Sequence, residues 1–176
     1  MSQLERNHFE LFGVPASFAL DASTLDHAYR RLQADVHPDR FANASDVDKR
    51  LAMQRSAHVN EAYRALKDPI ERARYILELR GVDAFDETDT RLPLPFLEAQ
   101  LERRERAAQA ADAENLEVLH TIVREVRDEL RARQRELEPL IDDPANNEAA
   151  KMIVRELRFL AKVVEDVEAM QDALDA

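Results

Sequence analysis

Two stretches near the C-terminus repeat their apolar residues every three or four positions, and that period leaves little choice of fold. Leu116, Leu119, Val123, Val126, Leu130 and Leu137 form one seam, and Ile153, Leu157, Leu160, Val164, Val167 and Leu174 form the other. Such spacing lays one stripe of a helix against a nearly antiparallel neighbour. The short Asp142-Asp143-Pro144 connection makes the two helices partners in a bundle. The same period recurs in Leu25, Tyr29, Leu32 and Val36, and again in Val47, Leu51, Val59, Ala62, Tyr63 and Leu66. With two glycines in 176 residues, the chain lacks the turn chemistry of a sheet-rich fold. Leu, Ala, Glu, Arg and Gln dominate instead, and the expected class is all-α.

Capping residues divide the pattern into helices. In the first unit, Asn7 to Phe12 forms a short turn ended by Gly13 and Pro15. A second helix starts at Asp21 or Ser23 and runs to about Val36, and a third runs from Ser45 to about Leu66. Asp68-Pro69 opens a fourth, which stops near Gly81. Residues 1–81 are thus expected to close one helical unit. Residues 82–94, rich in Asp and Thr and closed by Pro93 with Pro95 just beyond, read as a connection. Residues 95–176 are expected to form three longer helices, about 95–111, 113–138 and 144–174, with Asp112 and Asp143 as caps and Pro144 in a first turn.

Charge and composition exclude several function classes. The net charge of −11 is unevenly placed: residues 1–80 carry 12 Lys+Arg and 12 Asp+Glu, whereas residues 81–176 carry 13 and 24. A neutral half and an acidic half argue against nucleic acid as the main partner, because phosphate binding needs a basic surface. The absence of cysteine removes disulfides and thiolate metal sites. No apolar run approaches eighteen residues and no charged-then-apolar leader is visible, so a cytoplasmic protein without a membrane partner is expected. His8, His27, His37, His58 and His120 show no metal-binding spacing, and no Gly-rich nucleotide loop exists. An enzyme is not expected, nor is a cofactor.

One tripeptide stands apart. His37-Pro38-Asp39 falls between two helical runs, where Pro38 cannot continue the first helix and disfavours the α region for His37. The result is an open hairpin tip, preceded by Arg30 and Arg31 and followed by Arg40-Phe41, with Tyr63 and Leu66 placed to pack back on Tyr29 and Leu32. By itself such a tripeptide is an ordinary helix-breaking turn, and Arg30 and Arg31 are ordinary solvated positions.

In context the arrangement resembles a J-domain, the module by which co-chaperones stimulate DnaK-type ATPases, and most of all the HscB-type co-chaperones of iron–sulphur cluster assembly. Asn7-His8-Phe9-Glu10-Leu11-Phe12-Gly13 with Pro15, Leu32 to Phe41, Gln54 to Tyr63, and Arg72-Ala73-Arg74-Tyr75-Ile76-Leu77 carry the resemblance in the first unit. Phe96-Leu97, Gln100-Leu101-Glu102 and Leu157-Arg158-Phe159-Leu160 carry it in the second. It implies an N-terminal J-domain helical hairpin unit and a C-terminal three-helix bundle. It also implies that His37, Pro38 and Asp39, with Arg30, Arg31 and Arg40, engage an HscA/DnaK-type chaperone in which hydrolysis takes place. Relatives usually carry polar or basic residues where Ala34 and Asp35 stand, so the second helix loses positive charge towards its end.

The resemblance further implies that the bundle binds an IscU-type cluster scaffold through Leu97, Leu101, Glu102, Glu105 and Phe159. Leu97, Leu101 and Glu105 are four apart and share one helix face. Read from the residues alone, Leu97, Leu101 and Phe159 are simply bundle core, and Met152, Phe159, Val163 and Met170 form a second stripe able to face the third helix. Glu98 replaces an apolar residue common in relatives, which shrinks the apolar patch. The function so implied is stimulation of the chaperone ATPase with delivery of the scaffold to it. A general J-domain co-chaperone for other clients is the alternative, although such chains typically carry Gly/Phe-rich or Cys-rich regions. A helical adaptor in which the tripeptide is only a turn is another.

Overall fold

The computed structural model describes residues 6–37 and 45–175. Among the described residues it is helical throughout: α1 (His8–Phe12), α2 (Ala22–Val36), α3 (Asp46–Lys67), α4 (Pro69–Glu78), α5 (Leu94–Asp112), α6 (Leu116–Ile141), a 3-10 turn (Pro144–Asn146) and α7 (Asn147–Asp175). These residues divide into two compact units, Met1–Ile76 and Leu77–Ala176.

Local chemistry sets the helix ends of the first unit. Asn7 and Glu10 form a reciprocal capping box on α1, and Gly13 takes the left-handed conformation (φ 66°) that ends it. The Asp21 carboxylate accepts from the backbone of Ser23 and Thr24, and the Ser45 hydroxyl accepts from Asp48 N. Asp68 accepts from Ile70 N and Glu71 N, which starts α4 with Pro69 at its first position.

Helices α2 and α3 are held together by paired aromatics with polar tips. The Tyr29 and Tyr63 rings stack at 4.0 Å, as the spacing predicts. The Tyr29 hydroxyl donates to Asn60 Oδ1 at 2.9 Å, and the Tyr63 hydroxyl donates to Asp26 Oδ1 at 2.7 Å. Lys67 Nζ completes the second group, reaching both Asp26 and the Tyr63 oxygen. Phe9, Leu25, Val59, Ala62 and Leu66 are buried in this unit. Each large apolar side chain so buried stabilises the fold by about 1.5–3 kcal/mol.

The second unit is a three-helix bundle. Leu119, Ile122, Val126 and Leu160 are fully buried, with Phe96, Ala107, Ala110, Val123 and Val167 around them. Helix α5 runs through Asp112, so the cap of α6 falls on Asn115, whose side chain accepts from Val118 N, and not on Asp112. At the other end α6 continues through Pro139 to Ile141: the proline forfeits one i→i−4 hydrogen bond, while Leu137 and Ile141 are fully buried on either side of it. Asp143 caps the 3-10 turn that leads into α7. Arg80 fastens residues before α5 to the α6–α7 turn, donating to Ile141 O at 2.7 Å, Asn147 Oδ1 at 3.0 Å and Asp142 O at 3.2 Å.

Residues 83–92 contain no helix, yet they are fixed in place. Ala84 is fully buried, and its carbonyl accepts from Arg155 Nε of α7 at 2.7 Å. Asp89 meets Arg155 at 3.0 Å and Lys151 at 3.1 Å. Three cationic donors, from Arg91, Arg155 and Lys151, hold the Asp89 carboxyl far below the usual carboxylate range.

Candidate functional site

The first candidate surface is the end of α2. His37 caps the helix with a non-helical backbone (φ −58°, ψ 127°) and is exposed. Arg30 and Arg31 are exposed one to two turns earlier, as are Ala34 and Asp35, while Val36 is buried and anchors the helix end. Pro38, Asp39 and Arg40 lie outside the described residues. The paired tyrosines and the Asp26 group, farther along the hairpin, fix α2 against α3 and so fix the direction in which this end projects.

The second candidate surface lies between α5 and α7. A groove of roughly 580 Å³ is lined by Leu97, Leu101, Phe159, Val163 and Met170, with Gln100 buried at its floor. Leu97 is 40% exposed, Leu101 59% and Phe159 37%, so these three do not fill the bundle core. Glu102 and Glu105 are exposed on α5 outside the groove lining. Of these five residues, the structure brings Leu97, Leu101 and Phe159 together as apolar walls of one groove and leaves Glu102 and Glu105 outside it.

The walls are braced from beneath. Phe96, 6% exposed, meets the Phe159 ring edge to face at 5.6 Å. Arg103 bridges Gln100 and Glu129, its Nη2 lying 2.7 Å from the Glu129 carboxylate, and so ties α5 to α6. Lys162 pairs with Asp166 at 3.1 Å and Glu165 at 3.3 Å along the α7 edge, and these carboxylates raise its pKa. Nearer the start of α7, Glu156 is almost fully buried 2.9 Å from Arg133 Nε, and its pKa is raised by burial against the pull of Arg133.

The second stripe of α7 turns towards this groove: Phe159, Val163 and Met170 line it, and Met152 does not. Gln100, Arg104 and Lys162 belong to the groove as well but escape a reading of apolar periodicity, because polar side chains carry no periodic signal. Among the described residues no three His, Asp or Glu side chains form a metal-binding group. No helix among them is long and apolar enough to cross a membrane.

Residues 7–75 match the DnaJ domain family, and residues 93–168 match the HSCB C-terminal oligomerisation domain. Co-chaperone protein HscB homologues of Paraburkholderia xenovorans and Burkholderia multivorans are each 47% identical over 175 residues, which is 99% of this chain and 99% of theirs. The chain belongs to the HscB co-chaperone family. The fold agrees. Chaperone HscB from Vibrio cholerae aligns with TM-score 0.83 at 36% identity, covering 96% of this chain and 99% of its own. Human co-chaperone protein HscB aligns with TM-score 0.86 at 28% identity, covering 94% and 82%. The exposed end of α2 therefore sits in the DnaJ-type unit of an HscB chain, and the groove between α5 and α7 in its C-terminal domain.

Proposed function

We propose that this co-chaperone brings an IscU-type iron–sulphur cluster scaffold to an HscA/DnaK-type chaperone and stimulates the ATPase of that chaperone. The observation that carries the reading is the groove between α5 and α7: Leu97, Leu101 and Phe159 are apolar, exposed and gathered on one face, which is the composition of a protein-binding centre. Glu102 and Glu105, exposed on the same helix as Leu97 and Leu101, add acidic groups for the partner.

The other end of the activity is assigned to His37, Pro38 and Asp39, with Arg30, Arg31 and Arg40 as cationic contacts for the chaperone. The chain itself performs no catalysis and holds no cofactor. It acts in the cytoplasm by favouring one arrangement of the partner ATPase over the others, since equal affinity for all would shift nothing. Binding the scaffold on the same chain raises the local concentration of client near the ATPase.

A steady-state ATPase assay with an HscA-type chaperone, with and without scaffold, tests the reading. Stimulation that is greater with chain and scaffold together than the sum of the two separately is the expected result. Stimulation indifferent to the scaffold points to a general J-domain co-chaperone instead.

A further inference from the structure

The groove between α5 and α7 does not end at Phe159. On the other side of that ring lies a second concavity of roughly 330 Å³, walled by α7 and by residues 84–92, and lined by Phe85, Leu92, Arg158, Phe159 and Lys162 among others. Phe159 and Lys162 line both hollows, so the two surfaces are continuous across a shared ridge.

Its outer wall is rigid for a reason visible in the contacts. Arg155 is buried, with Nε on Ala84 O and Nη1 on Asp89, Lys151 also holds Asp89, and together they clamp the non-helical segment to α7 at two points. With that wall fixed, the Phe85 ring lies beneath the Arg158 guanidinium at 4.0 Å. A guanidinium stacked on a ring keeps its N–H donors in plane and directed outward, where they suit a carboxylate. Arg158 is exposed, and among the described residues no carboxylate pairs with it. The nearby acids are otherwise engaged or peripheral: Asp86 accepts from Thr88 N and Oγ1, Lys162 is already paired with Glu165 and Asp166, and Glu87 is exposed.

We infer that this second hollow is part of the scaffold-binding face, with Phe85 as an apolar floor and Arg158 as the contact for a carboxylate on the scaffold. The inference rests on the reading of the first groove as the scaffold site. It adds a charged contact to that reading. Arg158 is exposed on α7 beside Phe159, the ridge the two hollows share. A scaffold that fits this face places a carboxylate against Arg158 next to an apolar patch that meets Leu97, Leu101 and Phe159.

Calorimetric titration of the full chain with an IscU-type scaffold separates the outcomes. Arg158→Gln is expected to weaken binding about tenfold and Arg158→Glu further, in keeping with an interfacial ion pair. Phe85→Ala is expected to weaken it comparably, with thermal midpoints of the arginine variants unchanged. If Leu101→Ala weakens binding while Arg158→Gln, Arg158→Glu and Phe85→Ala stay within about twofold of wild type, the second hollow is not part of the site and the first groove stands. If the unaltered chain fails to bind scaffold at all, both readings fall. Should Phe85→Ala prove unfolded, the two Arg158 variants decide alone, because that side chain is exposed.

Discussion

Phe96 and Phe159 meet edge to face with their ring centroids 5.6 Å apart, so a buried ring sets the angle of one that stands half in water. An exposed aromatic held in this way loses little freedom when a partner covers it. Phe159→Ala is expected to weaken scaffold binding by about 2 kcal/mol or more. Phe96→Leu, which keeps an apolar side chain but removes the edge contact, should cost about 0.5–1.5 kcal/mol of binding. The two effects should be non-additive in a double-mutant cycle read by calorimetry.

Leu101 and Leu160 have the same side chain and opposite burdens. Leu160 is fully buried between α6 and α5, whereas Leu101 is 59% exposed. Leu160→Ala should lower unfolding free energy by about 2–5 kcal/mol in urea denaturation. Leu101→Ala should change stability by no more than about 0.5 kcal/mol and yet reduce affinity for the scaffold.

Tyr63 joins α3 to α2 through its hydroxyl, which donates to Asp26 Oδ1 at 2.7 Å and accepts from Lys67 Nζ at 2.5 Å. The Asp26 pKa is lowered first by that hydroxyl and then by Lys67, while the Lys67 pKa is raised. Tyr63→Phe keeps the ring stack on Tyr29 and removes only the polar tip, and should cost about 1 kcal/mol. A Tyr63→Phe variant as stable as the parent in urea would show that the tip contributes nothing.

His8 supplies a pH dependence whose sign is fixed. Its ring stacks on Tyr75 at 4.0 Å with His58 edge-on at 5.8 Å. Burial lowers its pKa below 6.5, His58 and Arg74 lower it further, and Glu61 opposes them. The unfolded chain therefore binds the proton more readily, so stability is complete above about pH 6.5 and declines as pH falls towards the folded-state pKa. Urea midpoints measured between pH 7.5 and 5.5 should fall for the parent chain and fall less for His8→Phe. Glu156, with a raised pKa, acts in the opposite direction in both proteins and cancels from the comparison.

Much of the fold is legible in the sequence because it is written in repeating apolar positions. The seams of α6 and α7 are buried or half-buried where the period puts them, and Ser45, Asp21 and Asp143 cap as short polar residues before a helix should. The cap of α6 escapes such a reading, since Asp112 and Asn115 are equally good acceptors and only the length of α5 chooses between them. Phe159 is ambiguous for another reason. Helical spacing says which residues share a face, but whether that face is covered depends on how closely α5 approaches α7. The holding of residues 84–92 by Arg155 and Lys151 is invisible to local patterns, because the partners are more than sixty positions apart.

The most direct measurement is the steady-state ATPase rate of an HscA-type chaperone with scaffold present, comparing the parent chain with His37→Gln. His37 is exposed beyond the last turn of α2, so the variant should fold normally, bind scaffold with unchanged affinity and lose the stimulation. A folded His37→Gln chain that stimulates as strongly as the parent would contradict the account.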